Sequence, residues 1–308
     1  MVRPVYEAKV KSSAERIAED KLKEFYAKAQ AELENRLPEP DKKDVSKLSH
    51  CAEYAGGIYT YLRERQKLTT ARHGYMKNQP ELNEKMRGIL MDWICAVSEK
   101  FNLLSETTFL AANLIDRYFE LEKVTKAKIQ LVGVTALIIA SKYEEIYPPD
   151  IRDFVHVTEK AVTKEEVIKM EAALLHKLKF ELSVPSTLRF MERFCKLMAC
   201  NEQTTHFAHY FIELQLPEYA MLRHLPSLVA AGAVYLAQRV IKGSSVVWNE
   251  YSRTQSGHSE EEVKQCAKEI LGILQVQEKG NLQATRKKFS KPKYMEVAKI
   301  KLDYGLMA

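Results

Sequence analysis

The chain has 308 residues, of which 46% are hydrophobic and 29% are charged, and its formal net charge is +6. This balance is typical of a folded globular protein and excludes a wholly disordered chain. The length is sufficient for two domains, and the low counts of glycine (11) and proline (10) predict a mostly helical structure.

The positive charge is concentrated near the C-terminus. Residues 279–301 contain eight lysine or arginine residues and one glutamate, so the rest of the chain has a net charge close to zero. A basic surface spread over the folded body would indicate nucleic-acid binding, and this sequence lacks one. We therefore expect no nucleic-acid partner.

The cysteines and the apolar runs indicate the compartment. The five cysteines are an odd number without zinc-ligand spacing, so we expect free thiols. The N-terminal residues lack the apolar core of a signal peptide. The longest apolar run, Leu131 to Ala140, is about half of a membrane span. We expect a protein of the nucleus and cytoplasm without a membrane partner.

The apolar periodicity predicts helices along the chain and no convincing strand. An amphipathic helix over residues 12–37 is followed by a linker from Asp41 to Lys47, and a second helix passes through Tyr54 and Leu62. The polar stretch from Lys67 to Glu81 is predicted to be a loop. Further helices are predicted near residues 86–100, 105–120, 126–143, 163–178, 186–199, 203–215, 225–241 and 259–276.

Two pairs of predicted helices align at one constant offset of 97 residues. Leu131–Lys142 aligns with Leu228–Arg239, and Phe109–Phe119 aligns with His206–Leu216. The shared offset indicates a duplicated unit of about five helices, although a chance alignment of alanine-rich helices is the alternative. In both copies the helix near residue 131 or 228 is apolar or small on all faces, so it should lie at the centre of its bundle.

No pattern of an enzyme active site is present. The sequence has no glycine-rich phosphate loop, no nucleophile elbow and no HExxH zinc motif. Glu144 and Glu145 would point about 100° apart on a helix, and His206 and His209 have no third ligand nearby. We therefore expect a protein that is not an enzyme and that binds no cofactor or metal.

Four charged residues stand out from their surroundings. Arg87 and Asp116 interrupt apolar stripes of two predicted helices, so we expect them to form a buried, structural ion pair. Asp116 aligns with Glu213 in the second copy of the repeat. Lys142 and Glu171 are either two solvated charges or a pair that faces a partner at the mouth of the bundle.

Several segments carry a family resemblance. Upstream, Tyr54–Leu62 is similar to mitotic cyclins, of the B type more than of the A type. The first cyclin box closely resembles the segments MRGILMDW at 86–93, LIDRYF at 114–119 and IQLVGVTALIIASKYEEIYPP at 129–149, and the second box resembles Leu225–Ala237. The resemblance implies an all-α fold of two tandem five-helix cyclin boxes, which agrees with the repeat.

The domain organisation follows from this resemblance. We predict an N-terminal helical segment and linker over residues 1–48 and an N-terminal helix with the first box over 49–182. The second box is predicted over 183–278, and a basic C-terminal extension over 279–308. In that extension, the apolar residues should dock on the boxes while the lysines stay solvated; these apolar residues are Phe289, Tyr294, Met295 and Val297.

The resemblance implies a regulatory subunit that binds and activates a cyclin-dependent kinase at G2/M and helps to recruit substrates. In the family, a lysine and a glutamate at the positions of Lys142 and Glu171 contact the kinase. Arg87 and Asp116 match positions that hold the box together. Aromatic residues are implied as further kinase contacts, with core packing as the alternative for each; they are Tyr54, Tyr61, Tyr143 and Phe180.

A second surface is implied for short Arg-x-Leu peptides of substrates and inhibitors. Ala96 stands one turn after Trp93, where some cyclins carry an acidic or amide side chain that receives the arginine of the peptide, so we expect weaker or altered docking. The spacing alone equally suits plain core. The surface consists of Met86, Ile89, Leu90 and Trp93 with Ile129 and Gln130.

Two other functions compete with this interpretation. A double cyclin fold that binds DNA, as in proteins similar to transcription factor IIB, would predict a zinc ribbon before the first box and basic residues over the bundles. Neither is present in the sequence. A helical scaffold without a kinase partner is the third hypothesis, and the match over residues 129–149 disfavours it.

Overall fold

The computed structural model describes residues 21, 23–28, 31–32, 35–302 and 305. In these residues the regular structure is helical and contains no strand, which confirms the predicted all-α class. Within the same residues no helix is both long enough and apolar enough to cross a membrane. The chain divides into two compact units, Met1–Ile58 and Tyr59–Ala308.

In the described residues, the first unit contains helical positions between 21 and 36, the short helix α1 (Glu39–Lys42), and two 3₁₀ turns, Leu48–His50 and Ala52–Tyr54. The predicted linker from Asp41 therefore begins inside a helix. Helix α1 starts directly after Pro38 and accepts Pro40 in its first turn, where the missing N–H of proline costs no hydrogen bond. Part of the predicted helix over 12–37 is helical, at residues 21, 23–28, 31–32 and 35–36, Leu37 forms a bend, and the remaining positions lie outside the described residues.

Helix α2 (Ala55–Thr69) begins in the first unit and continues into the second, which holds two bundles of five helices. The fourth helix of each bundle has seven residues, too few for a periodic pattern, and was not predicted. The first bundle comprises α3 (Glu84–Lys100), α4 (Ser105–Leu121), α5 (Ile129–Glu144), α6 (Ile151–Val157) and α7 (Lys164–Lys177). The second comprises α8 (Thr187–Leu197), α9 (Glu202–Leu214), α10 (Pro226–Lys242), α11 (Glu250–Ser256) and α12 (Glu260–Gln277).

The third helix of each bundle lies at its centre, as the sequence predicted. All residues of α5 from Leu131 to Ser141 are buried, and α5 packs against the four other helices of its bundle. Helix α10 does the same in the second bundle. The packing around Gly133 is close: a Cβ atom there would lie 2.6 Å from Cδ1 of Leu90 on α3, so a larger residue would displace the Leu90 side chain.

The segment between α2 and α3, which was predicted to be a loop, contains regular structure and buried side chains. A 3₁₀ turn forms over Tyr75–Asn78, and both Tyr75 and Met76 are buried. The Tyr75 hydroxyl donates to Oδ1 of Asp116 at 2.7 Å. Burial raises the pKa of this phenol, and the Asp116 carboxylate raises it further. The buried apolar side chains of Tyr75 and Met76 therefore anchor a stretch whose overall composition is polar.

The expected ion pair between Arg87 and Asp116 is present in the core. Nε and Nη2 of Arg87 donate to the two carboxylate oxygens of Asp116 at 2.7 and 2.8 Å, and both side chains are almost fully buried. Nη1 of Arg87 donates to the carbonyls of Leu216 (2.8 Å) and Pro217 (3.2 Å), directly after α9. Burial lowers the pKa of Arg87, but Asp116 outweighs burial and holds it above the usual value. The pair therefore connects the two bundles.

The C-terminal extension packs against both bundles. Its helix α13 (Ala284–Phe289) contacts α3 and α9, and Phe289, Tyr294 and Val297 are buried as predicted. The prediction is wrong for Met295, which ends a 3₁₀ turn at a φ of 53° and is 44% exposed. It is also wrong for Lys288, which is buried.

Lys288 is buried because it neutralises the buried carboxylate of Glu213. Glu213 on α9 is completely shielded from solvent, and Lys288 Nζ lies 2.6 Å from its Oε2. Burial raises the pKa of the Glu213 carboxyl, while the pKa of Lys288 rises because the carboxylate outweighs burial. Since Glu213 aligns with Asp116, each bundle contains a buried carboxylate at the same place in the repeat.

His209 lies beside this second ion pair. Its Nε2 has no hydrogen-bond partner and lies 3.8 Å from Glu213 Oε2, which Lys288 already neutralises. The ring packs edge-on against Phe289 at 5.1 Å. Burial, together with the charges of Lys288 and His206, lowers the pKa of His209 to about 3. His209 is therefore neutral in the folded protein at ordinary pH.

Replacement of Arg87 by methionine leaves Asp116 buried without its cation, so the free energy of unfolding should fall by about 3–5 kcal/mol. Chemical unfolding followed by circular dichroism measures this loss. As a matched control, Arg152→Met removes the arginine of the exposed pair with Asp150 and should leave stability almost unchanged. A loss below about 1 kcal/mol for Arg87→Met would contradict the role of the pair.

His209 should contribute to acid sensitivity. The unfolded chain takes up a proton at this residue below about pH 6.5, whereas the folded protein does so only near pH 3. Stability therefore falls with decreasing pH, by about 1–2 kcal/mol between pH 6.5 and 5. His209→Phe should flatten this slope in unfolding experiments, whereas His176→Phe at an exposed site should not. Equal slopes for all three proteins would show that another group titrates.

Candidate functional site

Lys142 and Glu171 form an ion pair at the surface of the first bundle. Lys142 lies in the last turn of α5 and Glu171 lies on α7, with 2.6 Å between Nζ and Oε1. The lysine side chain is 53% exposed and the glutamate side chain 19%. Of the two interpretations offered by the sequence, two independent solvated charges do not describe this geometry. The structure contains no partner chain, so a partner-facing role stays a prediction.

Exposed aromatic residues continue this surface. Tyr143 and Phe180 are 47% and 61% exposed, and Tyr61 on α2 is 63% exposed, so core packing does not account for them. The Tyr143 hydroxyl shares a 2.5 Å hydrogen bond with Oγ of Ser183. We call the surface formed by Lys142, Tyr143, Glu171, Phe180 and Tyr61 the α5–α7 surface.

Polar contacts fix the segment that carries Phe180. Phe180 itself has a φ of 56° and contacts the His176 ring edge-on at 5.6 Å. Its neighbour Glu181 accepts a hydrogen bond from Arg65 of α2 at 3.3 Å, and the Glu181 carbonyl accepts one from Arg117 at 2.8 Å. These contacts connect α2, α4 and the residues after α7. Phe180 is therefore exposed on an ordered backbone.

Tyr54, the remaining aromatic candidate, is 63% exposed. It belongs to the first unit, which ends at Ile58, and it is not part of the α5–α7 surface as defined above. Its predicted role stays a prediction.

Sequence analysis missed two exposed apolar residues that directly follow α5. Ile146 and Tyr147 are 86% and 91% exposed. Their position before the consecutive prolines 148 and 149 is the signal that could have identified them, because the chain leaves the helix there. The preceding residue, Glu145, accepts hydrogen bonds from Leu104 N (2.7 Å) and Thr107 Oγ1 (2.5 Å) at the start of α4. Glu145 therefore has a structural role.

A groove of about 330 Å³ lies between α3 and the start of α5. It is lined by all six residues predicted for the docking surface, and by Lys126, which the sequence analysis missed although it precedes Ile129 by one turn. The six are Met86, Ile89, Leu90, Trp93, Ile129 and Gln130. The structure therefore brings the predicted set together.

The floor and the rim of the groove differ in exposure. Leu90 is 5% exposed and packs against Gly133, so the core interpretation holds for this residue. Ile89 is 51% exposed, and Met86, Trp93 and Ile129 are partly buried. Ala96 is exposed on the same helix, one turn after Trp93. The groove thus presents apolar side chains to solvent, without an acidic side chain at position 96.

Comparison with known protein families assigns the fold of both bundles. The family model "Cyclin, N-terminal domain" matches residues 57–183, and the model "Cyclin, C-terminal domain" matches residues 185–303. Together these matches cover most of the sequence. The chain belongs to the cyclin family.

Relatives place it further within that family. The G2/mitotic-specific cyclin-B of Dictyostelium discoideum is 42% identical over 248 residues, which are 80% of this chain and 57% of that protein. The G2/mitotic-specific cyclin-B of Marthasterias glacialis is 38% identical, with coverage of 84% and 66%. The resemblance to mitotic B-type cyclins is confirmed, and the chain spans about three fifths of the length of these relatives.

Solved structures show the same fold. A viral cyclin from herpesvirus saimiri has a TM-score of 0.62 and 22% identity, and the similarity covers 69% of this chain and 97% of the viral one. A chain of the yeast RNA Pol II CTD kinase CTDK-1 complex has a TM-score of 0.53 and 12% identity, with coverage of 80% and 85%. These relatives and structures do not support the alternative of a DNA-binding double cyclin fold.

Proposed function

We propose that the chain is a regulatory subunit that binds and activates a cyclin-dependent protein kinase at G2/M and is not itself an enzyme. Membership of the cyclin family and the G2/mitotic-specific names of its relatives support this function. The observation that carries it is the α5–α7 surface. There, a charged pair and three exposed aromatic side chains lie on ordered backbone and are not used in the protein's own core.

The mechanism we propose is a shift of the conformational population of the kinase. An inactive kinase misplaces the helix and the loop that complete its active site, and a partner that binds only the active arrangement stabilises that arrangement. A change from mostly inactive to mostly active needs about 5 kcal/mol of differential binding. An interface of about 2,000 Å² or more, anchored by aromatic residues, is large enough to supply this energy.

The rigidity of the α5–α7 surface favours this mechanism. Lys142 is already oriented by Glu171, and Tyr143 is oriented by Ser183, so binding immobilises few side chains that were free before. The surface offers one exposed cation and several aromatic rings, which suit a kinase face that combines a carboxylate with apolar side chains. Glu171 is the less exposed partner and holds Lys142 in place.

The double variant Lys142→Ala/Glu171→Ala should lower activation of the co-purified kinase towards histone by roughly tenfold or more, because it removes the oriented charged pair of the α5–α7 surface. Thermal stability should change little, since exposed pairs contribute about 0–1 kcal/mol. The matched control is Lys177→Ala/Glu122→Ala, a second exposed pair on the first bundle, which should retain activity. Full activity of the Lys142/Glu171 variant would refute the proposed contact.

We further propose that the groove between α3 and α5 binds short substrate or inhibitor peptides of the Arg-x-Leu type. Its partly exposed apolar lining suits the leucine of such a peptide, and its volume of about 330 Å³ accommodates a few side chains. The position one turn beyond Trp93 would face the arginine, and Ala96 offers it no carboxylate or amide there. Binding should therefore depend on apolar contacts more than on the arginine.

Ala96→Glu should strengthen binding of a synthetic Arg-x-Leu peptide by roughly two- to fivefold, as expected for one exposed ion pair. Ala96→Lys should weaken binding of the same peptide through repulsion, and Trp93→Ala should abolish it. Fluorescence anisotropy with a labelled peptide and a version lacking the arginine measures these changes. If both Ala96 variants bind like the original protein, the arginine of the peptide does not lie at this position.

We also propose that the protein acts in the nucleus and cytoplasm. All five cysteines are free, which suits a reducing compartment. The net positive charge of the chain comes from its C-terminal extension, so we propose neither a nucleic-acid nor a membrane partner for the two bundles.

A further inference from the structure

A pocket of about 420 Å³ lies in the basic C-terminal extension, away from the residues that define the two surfaces described above. Three stretches of chain form it: the end of α12, the helix α13 and the residues after Val297. Four cationic residues line it, and Glu278 is the one acidic residue among its lining. The cations are Lys279, Arg286, Lys299 and Lys301.

The distribution of ion pairs makes this pocket distinctive within the extension. Of the eight basic residues of the extension, three have carboxylate partners: Lys288 with Glu213, Lys291 with Glu99 and Lys299 with Glu296. In the described part of the chain, the other five have no ion pair. Three of those five line the pocket, namely Lys279, Arg286 and Lys301.

Arg286 has a buried N–H donor without an acceptor in this pocket. Its Nη1 atom is shielded from solvent and has no hydrogen-bond acceptor. A buried donor of this kind lowers the stability of the folded protein, because it has lost its hydrogen bonds to water without gaining a protein acceptor. The carbonyls of Gln277 and Gly280, at the end of α12, already accept hydrogen bonds from Gln283 and do not supply that acceptor. An anion in the pocket would do so.

The charge of the pocket matches a phosphate group. Four cations, Glu278, and the Glu296 carboxylate paired with Lys299 give a net charge of +2. A phosphorylated serine or threonine carries about −1.5 to −2 at pH 7 and three strong acceptor oxygens. Arginine is well suited to such an anion because its N–H groups bind two phosphate oxygens at once.

We propose that this pocket is a docking site for a phosphorylated serine or threonine in a segment of another protein. Ile300 and Leu302 line the pocket beside the cations and offer apolar contacts to the residues that flank the phosphate. Nucleic acid would instead present a row of phosphates, one per about 3.4 Å of duplex axis on each strand, and would need a track of cations. Three of the five unpaired cations of the extension are gathered in one concavity, which favours a single phosphate.

The test uses the purified chain without a kinase, so its outcome does not depend on the proposed kinase activation. The probe is a fluorescent five-residue peptide with a central phosphoserine between alanines, compared by anisotropy with its unphosphorylated form. The phosphopeptide should bind and the unphosphorylated peptide should not. Arg286→Gln should weaken binding by roughly tenfold.

Lys287→Gln is the matched control, because it removes one charge from the next residue of α13, which is exposed and does not line the pocket. Its effect should stay below about twofold. Lys301→Gln, at an exposed position beyond the last helix, provides a second pocket variant that does not depend on α13. It should weaken binding by roughly three- to tenfold.

Several results would overturn the proposal. Equal losses for Arg286→Gln and Lys287→Gln would show unspecific attraction to the basic segment. Inorganic phosphate that binds as tightly as the phosphopeptide would reduce the site to a phosphate site without a protein partner. Tighter, Arg286-dependent binding of a single-stranded DNA oligonucleotide, or of vesicles of phosphatidylcholine and phosphatidylserine, would assign the pocket to nucleic acid or to membranes.

Discussion

The buried pair of Arg87 and Asp116 is the interaction on which the second unit depends. It joins α3 to α4 through two charge-assisted hydrogen bonds and joins the first bundle to the end of α9 through the carbonyls of Leu216 and Pro217. Neither partner can turn to water if the other is lost, so the helices that carry them are fixed together. Because α3 also forms one wall of the groove, the same pair determines the position of that surface.

Each bundle neutralises a buried carboxylate, but the cation comes from a different part of the chain in each case. Asp116 and Glu213 occupy aligned positions, and each is buried with a cation. The first cation, Arg87, comes from the preceding helix of the same bundle, whereas the second, Lys288, comes from the C-terminal extension. The extension is therefore part of the core of the second bundle. Its contacts also include the hydrogen bond from Ala284 N to Asp92 on α3, which ties it to the first bundle.

Much of this architecture was predictable, because long helices carry strong periodic patterns and buried charges stand out within them. The central helices follow from patterns inside single helices, and the pair of Arg87 and Asp116 follows from charges within apolar stripes. The repeat of about five helices follows from two helix pairs that align at one offset. The exceptions depend on contacts between distant segments: the burial of Lys288 reflects a carboxylate 75 residues away in sequence. Tyr75 lies in a polar stretch whose composition predicts a loop, yet its side chain reaches into the core. Lys126, at the start of the predicted helix over 126–143, lies in a 3₁₀ turn and lines the groove.

Helix α5 carries residues of both the groove and the α5–α7 surface. Ile129 lines the groove at its start, and Lys142 lies in its last turn, so about 20 Å of straight helix separates them. A packed helix does not stretch, so if the groove and the α5–α7 surface bind as proposed, a substrate in the groove would be held at a set spacing from the kinase. The local concentration of a phosphorylation site would then depend on the number of residues between it and the docking motif, with an optimum where the connecting chain just spans the gap.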